Sequence, residues 1–295
     1  MRFGVLGTGF WAREVHAAAL AAHPEVELAG VWGRDPRKAA DLGQAFGVPP
    51  LELEDLLESV DAVAIALPPH VQAELAVRAA EAGCHVLLDK PLALTVDAAD
   101  RVVEAVGRAG VASIIFYTHR FQPQTTAALD QAVSVGGWHG GRATSFGSIF
   151  TGRNPYAGSV WRREHGGLWD IGPHALSLLW PALGPVTEVT AMTGPRQTTY
   201  VTMRHESRAV STMELTLDAA PAASHYETVL YGESGWVTLP GFDGDAQASF
   251  GRAVTQLIES VGGPEHPLSV WFGRQVVKVL AAAEASATVG TAITL

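Results

Sequence analysis

A glycine turn stands directly after the apolar residues that open the chain. Residues 7–12 read G-T-G-F-W-A, a G-x-G-x-x-A pattern, and a helical pattern extends over 10–22. In such a turn Gly7 permits the sharp bend, Gly9 lets the backbone approach a pyrophosphate, and Ala12 allows close packing of helix on strand. Amide groups at a helix start favour negative charge. The pattern predicts a dinucleotide site contacted by Gly7, Thr8, Gly9, Phe10 and Trp11.

A lysine stands at the end of another apolar run, in the tripeptide Asp89-Lys90-Pro91. Ligands of parallel sheets bind outside the carboxyl ends of the strands, so Lys90 should lie where a nicotinamide ring would lie. A partly desolvated lysine beside a positive ring can exchange protons near neutral pH. The alternative is a solvated loop lysine, since most lysines lie on the surface. We expect Lys90 to be catalytic, and we expect further cofactor contacts at Asp89, Leu67, Pro68 and His70.

A carboxylate and an imidazole stand four residues apart in the segment 166–174, G-G-L-W-D-I-G-P-H. A helix would place Asp170 and His174 on one face. A carboxylate beside an imidazole can fix its tautomer and raise its basicity, as a proton-transferring histidine requires. The alternative is a helix-capping Asp170 with a core His174. We expect both to be catalytic and to contact the substrate.

Polar residues follow the last strand of the first domain, at Tyr117, His119 and Arg120. We expect them to emerge over a substrate crevice between two domains, although Arg120 fits a salt-bridged domain junction slightly better. An indole can cover the apolar face of a sugar ring, whereas hydroxyls need convergent polar groups. The predicted substrate contacts are Tyr117, His119, Trp161, Arg163, Asp170 and His174. Arg163 would favour an acidic or phosphorylated substrate, and a surface arginine is an equally good interpretation.

The end of the second strand predicts which nicotinamide cofactor is preferred. In doubly wound folds an acidic residue about 20 residues beyond the glycine turn accepts hydrogen bonds from the ribose 2′-hydroxyl. Here Gly33 and Arg34 occupy that place, and Arg37 adds positive charge. An arginine can pair with a 2′-phosphate and stack on adenine. Asp35, one residue on, leaves the alternative open. We therefore expect NADP to be preferred over NAD, with Gly33, Arg34 and Arg37 among the contacts.

Composition excludes several classes of function. The 295 residues suggest two domains, and a net charge of -10 argues against nucleic-acid binding. The single cysteine, Cys84, fits a reducing compartment and a packing role. We expect a cytoplasmic protein without a signal peptide or membrane span. The scattered histidines predict no metal site, and the absence of a G-x-S-x-G turn argues against a serine hydrolase.

Strand-like and helical segments alternate over the first 117 residues, which indicates a doubly wound parallel sheet. The predicted strands after the first are Val26–Trp32, Asp61–Leu67, His85–Asp89 and Ala112–Tyr117. The predicted helices that follow the glycine turn are Pro36–Phe46, His70–Ala82 and Thr95–Arg108.

The pattern changes after Tyr117 to period-two strands, which predict an open antiparallel meander with one polar face. We expect glycine pairs at 136–137 and 140–141 to break the chain before the first of these strands. The predicted strands are Arg142–Thr151, Val186–Met192, Thr198–Arg204, Ala209–Leu217, Tyr226–Tyr231 and Trp236–Leu239, and the helices are Pro123–Val133, Asp170–Leu183, Ser249–Val261 and Ser269–Val289. The predicted architecture is α/β, with a Rossmann domain over 1–118 and an α+β substrate domain over 119–295.

Taken together, these segments resemble the glucose-fructose oxidoreductase/inositol dehydrogenase (Gfo/Idh/MocA) family over nearly the whole chain. The resemblance includes the glycine turn, Asp89-Lys90-Pro91, Arg120-Phe121, Trp161-Arg162, the D-x-G-x-H segment and the ending Glu284-Ala285-Ser286-Ala287. It implies that Lys90 lies by the nicotinamide ribose and the substrate hydroxyl, and that Asp170 and His174 face the substrate. It also implies a homodimer or homotetramer formed through the C-terminal sheet.

Three positions depart from the family pattern. Asp89 stands where the family commonly has glutamate, Ser177 where it often has a second aspartate, and Pro69 where an asparagine is often found near the nicotinamide. The resemblance implies hydride transfer between NAD(P) and a hydroxyl or carbonyl group of a sugar, cyclitol or related polyol. Two alternatives remain: a glycoside-cleaving enzyme that uses NAD transiently, and a nucleotide-binding sensor without turnover.

Overall fold

The structure, a computed structural model, describes residues 1–151 and 154–295. The chain forms two compact units. The first contains Met1–Phe121 together with Gly244–Gln275, and the second contains Gln122–Asp243 together with Val276–Leu295. Residues 244–275 thus pack with the first unit, although they lie beyond residue 118 in the sequence.

The first unit is built on a sheet of five parallel strands. They are β1 (Arg2–Leu6), β2 (Glu27–Trp32), β3 (Ala62–Ile65), β4 (His85–Asp89) and β5 (Ser113–Phe116). Their order is β2-β1-β3-β4-β5. β2 lies on one side of β1 and the later strands lie on the other, so the strand order reverses between β1 and β3. The interiors of β3 and β5 are wholly buried, as expected for a sheet covered on both faces. The predicted doubly wound fold is confirmed.

Helices connect these strands. They are α1 (π-helical Ala12–Ala17 continuing as Ala18–Ala22), α2 (Pro36–Phe46), α3 (Leu53–Ser59), α4 (Pro69–Glu81) and α5 (Val96–Ala109), and α9 (Ala246–Ser260) also belongs to this unit. Sequence patterning did not predict α3, which is only two turns long. A short 3₁₀ helix, Thr118–Phe121, follows β5. No helix among the residues the structure describes is both long and apolar enough to cross a membrane.

The second unit contains a mixed, mainly antiparallel sheet of seven strands. They are β6 (Trp138–Phe146), β7 (Val186–Thr193), β8 (Thr199–His205), β9 (Val210–Thr216), β10 (His225–Gly232), β11 (Gly235–Thr238) and β12 (Ile293–Thr294). The order is β11-β10-β6-β9-β8-β7-β12, and β6 pairs with β9 in parallel. The predicted meander is found in β7–β9 and in the β10–β11 hairpin, but it is interrupted where β6 lies between β9 and β10.

The glycine pair at 140–141 does not break the chain, which corrects the sequence-based expectation. Both residues lie inside the central strand β6. A Cβ on Gly140 would stand 2.2 Å from the Val210 carbonyl oxygen, and one on Gly141 would stand 2.8 Å from the side chain of Leu179. These glycines are needed because backbone and side chains approach the strand closely.

Three helices precede or cover this sheet: α6 (Pro123–Val135), α7 (Val160–Asp170) and α8 (Gly172–Leu183). The predicted single helix over 170–183 is wrong at its start. Asp170 is the last residue of α7, Ile171 separates the two helices, and α8 has no side-chain cap. The long helix α10 (Val270–Val289) is close to its predicted bounds.

Candidate active site

The glycine turn after β1 has the geometry that a dinucleotide requires. Gly7 adopts φ +131°, and a Cβ there would stand 2.4 Å from the Ala66 carbonyl oxygen. Ala12 is fully buried, with its Cβ 3.5 Å from that same position. The amide of Gly7 donates to the Trp32 carbonyl at 2.9 Å. The fold itself therefore requires glycine at position 7.

Gly9 differs from Gly7 in its surroundings. It is exposed, its φ lies outside the left-handed region, and a Cβ there would meet nothing within 4 Å. Neither backbone strain nor packing explains the glycine, so the space above it is free to accept a ligand that approaches the backbone. The helical segment begins at the next residue, Phe10, and directs its first amides toward the turn. These residues fit a dinucleotide pyrophosphate.

Sheet order brings the predicted cofactor residues of the first unit to one edge. β1, β3 and β4 are neighbours and run parallel, so the segments after them leave the same edge of the sheet. The glycine turn follows β1, half-buried Leu67 and Pro68 follow β3, and Lys90 follows β4. This edge, where the strand order reverses, is where doubly wound folds bind ligands.

A buried glutamine that sequence reasoning missed holds the backbone around Lys90. Gln72, on α4, is 1% exposed. Its Oε1 accepts from the amide of Asp89 at 3.0 Å, and its Nε2 donates to the carbonyls of Asp89 and Pro91 at 2.6 and 3.0 Å. The Asp89 carboxylate in turn accepts from the amide of Lys90 at 3.1 Å. Lys90 itself is half-buried on a backbone fixed on both sides.

The end of β2 presents positive charge, as the cofactor prediction requires. Gly33 packs on the turn, since a Cβ there would stand 2.4 Å from the Thr8 methyl group. Arg34 is exposed, and the Arg37 side chain is 94% exposed. The Asp35 carboxylate caps α2 by accepting from the amide of Arg37 at 3.0 Å. Asp35, the alternative ribose contact, therefore has a structural role as a helix cap.

In the second unit, an arginine that was not singled out as a substrate contact is the partner of Asp170. The Arg162 Nε donates to Asp170 Oδ2 at 3.0 Å, and the two side chains are 18% and 10% exposed. The guanidinium lies over the rings of Tyr156 and Trp161, 4.3 and 4.5 Å from their centroids. Asp170 and His174 do not share one helix as predicted, because Ile171 separates α7 from α8.

His174 lies in the first turn of α8 and is half-buried. Its carbonyl accepts from the Ser177 hydroxyl at 2.7 Å, so the serine that replaces the family's second aspartate bonds to the helix backbone. The glycines before it have a packing reason: Gly166 adopts φ +62° at the kink in α7, and a Cβ on Gly167 would stand 2.8 Å from the amide of Thr216.

Tyr226 is a second residue that sequence reasoning missed. Partial burial raises the pKa of its phenol, and the Asp170 carboxylate raises it further. Period-two patterning recognised the strand but contained no signal for this electrostatic interaction.

The remaining predicted substrate residues differ in accessibility. Tyr117 is fully buried, its ring packs edge-on against Phe272 at 5.5 Å, and burial strongly raises the pKa of its phenol. Its hydroxyl has no hydrogen-bond partner within the described residues 1–151 and 154–295. His119 and Trp161 are half-buried. Arg163 is exposed, donates to the Ala157 carbonyl at 2.6 Å and lies over the Phe150 ring.

Cys84 has the packing role that its position predicted. It is 1% exposed, and its Sγ donates to the Leu57 carbonyl at 3.3 Å. Burial, with a smaller effect of Asp61, raises the pKa of the thiol to about 11. A thiol in this state is a poor nucleophile.

Comparisons with known proteins agree with this architecture. Residues 1–117 match the model of an oxidoreductase family with an NAD-binding Rossmann fold, and residues 139–238 match the GFO/IDH/MocA C-terminal domain. D-xylose 1-dehydrogenase (NADP(+)) 2 of Haloferax volcanii is 30% identical over 88% of this chain and 84% of its own. D-apiose dehydrogenase of Paraburkholderia graminis is 30% identical over 64% of this chain and 51% of its own.

A solved structure has the same fold over its full length. The WlbA dehydrogenase of Bordetella pertussis, in complex with NADH and UDP-GlcNAcA, aligns with a TM-score of 0.86 and 24% identity over 100% of this chain and 98% of that one. Since both halves of the chain match the family and one relative matches nearly end to end, this protein belongs to the GFO/IDH/MocA family of oxidoreductases, whose N-terminal domain is an NAD-binding Rossmann fold.

Proposed function

We propose that this protein interconverts a hydroxyl and a carbonyl group of a sugar, cyclitol or related polyol, with NADP(H) as the preferred cofactor. The observation that carries the proposal is the sheet edge of the first unit, where an open glycine at position 9 and a backbone-fixed lysine at position 90 follow neighbouring strands. The names of the xylose and apiose dehydrogenases support the substrate class.

The cofactor is held at this edge by residues of the first unit. The turn around Gly9 and the helix start receive the pyrophosphate, because backbone amides and the helix dipole favour its negative charge. Arg34 and Arg37 receive the 2′-phosphate. When bound, the nicotinamide supplies or accepts the hydride. The remaining contacts are Leu67, Pro68, His70, Asp89 and Lys90.

The preference for NADP(H) rests on charge at the end of β2. Arg34 and Arg37 are exposed there, and Asp35 is engaged as a helix cap. A carboxylate free to meet the ribose would repel a 2′-phosphate, whereas an arginine pairs with it. The NADP(+) in the name of the Haloferax relative is consistent with this preference.

Dissociation constants of both cofactors test the preference. We expect NADP(H) to bind more tightly than NAD(H), and Arg34→Ala to weaken NADP(H) by about 10-fold, the loss of one charge-assisted contact. Arg101→Ala, which removes an exposed arginine on α5, is the control and should change neither constant. Equal or tighter NAD(H) binding by the wild type contradicts the proposal.

Proton transfer is the task of Lys90 and His174. Lys90 takes the hydroxyl proton as the carbonyl forms and returns it in the reverse direction, and His174 shares this work. Asp170 holds the Arg162 guanidinium in an ion pair. Trp161, Arg163 and His119 are the further substrate contacts of the proposal, whereas the predicted contact Tyr117 is left out because it is fully buried.

Two substitutions test these roles. Lys90→Met and His174→Ala should each lower kcat by about 10²–10⁴-fold, the usual contribution of general acid–base catalysis. The dissociation constant of the cofactor should change far less than kcat in both variants. The substrate is found by screening cyclitols, aldoses and sugar acids with both cofactors and following nicotinamide absorbance. Full turnover by the lysine variant refutes its role, and glycoside cleavage without net absorbance change indicates transient redox chemistry instead.

We further propose that the chain forms a homodimer or homotetramer through the open face of the second unit's sheet. Three large side chains on this face are exposed: Met192 by 71%, Tyr200 by 46% and Trp236 by 71%. Met192 and Tyr200 are directly paired across β7 and β8, so their surfaces are contiguous. Exposed apolar surface of this kind is typical of interfaces.

Light scattering tests the assembly. Tyr200→Glu should lower the molecular mass of the oligomer, because an unpaired carboxylate in an interface is costly. Val133→Glu, at a similarly exposed position on α6, is the control and should leave the mass unchanged. A monomeric wild type refutes this part of the proposal.

A further inference from the structure

The imidazole ring of a histidine is buried beneath the cofactor edge of the first unit. His16 lies in the π-helical turn of α1 and is 0% exposed. Its ring stacks on Phe250, with centroids 4.0 Å apart, and meets the edge of Phe116. Neither ring nitrogen has a hydrogen-bond partner within the part of the chain that the structure describes. An unsatisfied buried polar group is destabilising, so packing alone would favour phenylalanine here.

The carboxylate of Asp89 lies beside this ring. His16 Nε2 lies 3.8 Å from Asp89 Oδ2, about 1 Å beyond an ordinary hydrogen bond. Burial lowers the pKa of His16 to about 3, so the imidazole is neutral and the contact is not an ion pair. A neutral imidazole carries one N–H, and a carboxylate beside Nε2 stabilises the tautomer with the proton on that nitrogen.

The position of this pair links two parts of the cofactor site. His16 follows the glycine turn on the same helix, and Asp89 accepts from the amide of Lys90. π-helical turns insert an extra residue into a helix and are frequent at functional sites. A shift of α1 by about 1 Å, of the size that ligand binding produces, closes the gap to a hydrogen bond.

We propose that His16 is a positioning residue that donates from Nε2 to the Asp89 carboxylate in the working enzyme and thereby fixes the backbone of Lys90. The consequence for catalysis rests on the role proposed for Lys90, whereas the hydrogen bond itself does not.

Two substitutions separate positioning from packing. His16→Phe keeps the ring that stacks on Phe250 and loses the N–H, whereas His16→Gln keeps an N–H near the Nε2 position and loses the ring. We expect the phenylalanine variant to unfold at the same or higher urea concentration as the wild type and to lose about 10- to 100-fold in kcat, the effect of a misplaced catalytic group. The glutamine variant should be less stable yet more active than the phenylalanine variant.

If His16 has only a packing role, the phenylalanine variant should be more active than the glutamine variant. That order of activity, or full kcat in the phenylalanine variant, would overturn the proposal. His85→Phe, at the opposite end of β4, is the control, because it removes a hydrogen bond from the Ala112 amide far from Lys90. It should lower stability and leave kcat unchanged.

A spectroscopic readout is independent of turnover. Long-range ¹H–¹⁵N spectra of the cofactor-free and NADP-loaded protein report which ring nitrogen of His16 carries the proton. We expect Nε2–H in both states and a change in the Nε2 resonance in Asp89→Ala. An Nδ1–H tautomer overturns the hydrogen bond, whereas activity retained by Lys90→Met overturns only the catalytic role of the lysine.

Discussion

The hydrogen bonds of the Gln72 side chain should stabilise the first unit, and a substitution at this position measures their contribution. Gln72→Met keeps the length and unbranched shape of the side chain, so it creates little cavity or overpacking. It removes the acceptor for the Asp89 amide and the donor to the carbonyls of Asp89 and Pro91. The substitution therefore isolates the polar part of the clamp.

The expected loss follows from these bonds. A typical intramolecular hydrogen bond contributes about 0.5–1.5 kcal/mol, so losing the three bonds should lower the free energy of unfolding by about 3 kcal/mol. The buried backbone groups that are left unpaired add to this loss. At a urea m-value of about 3 kcal/mol/M, the unfolding midpoint should fall by roughly 1 M. Gln124→Met removes one exposed bond to Asp243 and should cost only about 0–1 kcal/mol.

Urea unfolding measures the free energy, and hydrogen exchange measures the site directly. The Asp89 amide should lose protection in Gln72→Met and keep it in Gln124→Met. Lys90 loses its fixed backbone, so kcat should fall more than cofactor affinity does. If the two glutamine variants unfold at the same urea concentration, the reasoning that Gln72 clamps this segment is refuted.

Three further outcomes follow from the structure. Gly9→Ala should weaken cofactor binding and leave the unfolding midpoint unchanged. Gly7→Ala should lower the midpoint, because position 7 has φ +131° and a Cβ there would meet the Ala66 carbonyl. Cofactor titration and urea melts on both variants check these outcomes. The folded-state pKa of His16, about 3, lies below its unfolded value of 6.5, so its contribution to stability is present above pH 6.5 and is lost as the pH falls toward 3. Relative to His16→Phe, the wild type should lose up to about 1.4 kcal/mol per pH unit in urea melts over this window, and parallel curves would contradict the assignment. Cys84 should react with maleimide only after unfolding, and rapid labelling of the native protein would show that its thiol is not buried as described.

The sequence predicted the first unit with few errors because its signals are local. Proline at the first turn, a capping aspartate and alternating apolar runs set the bounds of α2, and β4 has its predicted bounds. The glycine turn and the strand-end lysine followed from the same reasoning, since both stand directly next to apolar strands. Parallel strands present their carboxyl ends at one edge, so the rule that places ligands there needed no tertiary information.

Where pairing between distant segments decides the structure, the sequence could not predict the outcome. Gly140 and Gly141 read as a chain break, because local patterning cannot show that Val210 and Leu179 approach the strand from elsewhere. The insertion of β6 between β9 and β10 has the same cause. Strand order depends on long-range contacts whose loop-closure cost leaves no local signature.

Spacing also predicted the wrong helix for Asp170. Four residues separate it from His174, yet Asp170 ends α7 and His174 lies in the first turn of α8, and the Asp170 carboxylate pairs with Arg162. By itself the sequence predicted which residues carry chemistry, and it correctly placed the glycine turn after β1 and Lys90 after β4. Only the tertiary structure decided their partners, Gln72 for the Lys90 segment, Asp89 for His16 and Arg162 for Asp170, because side-chain pairs across elements depend on packing and not on periodicity.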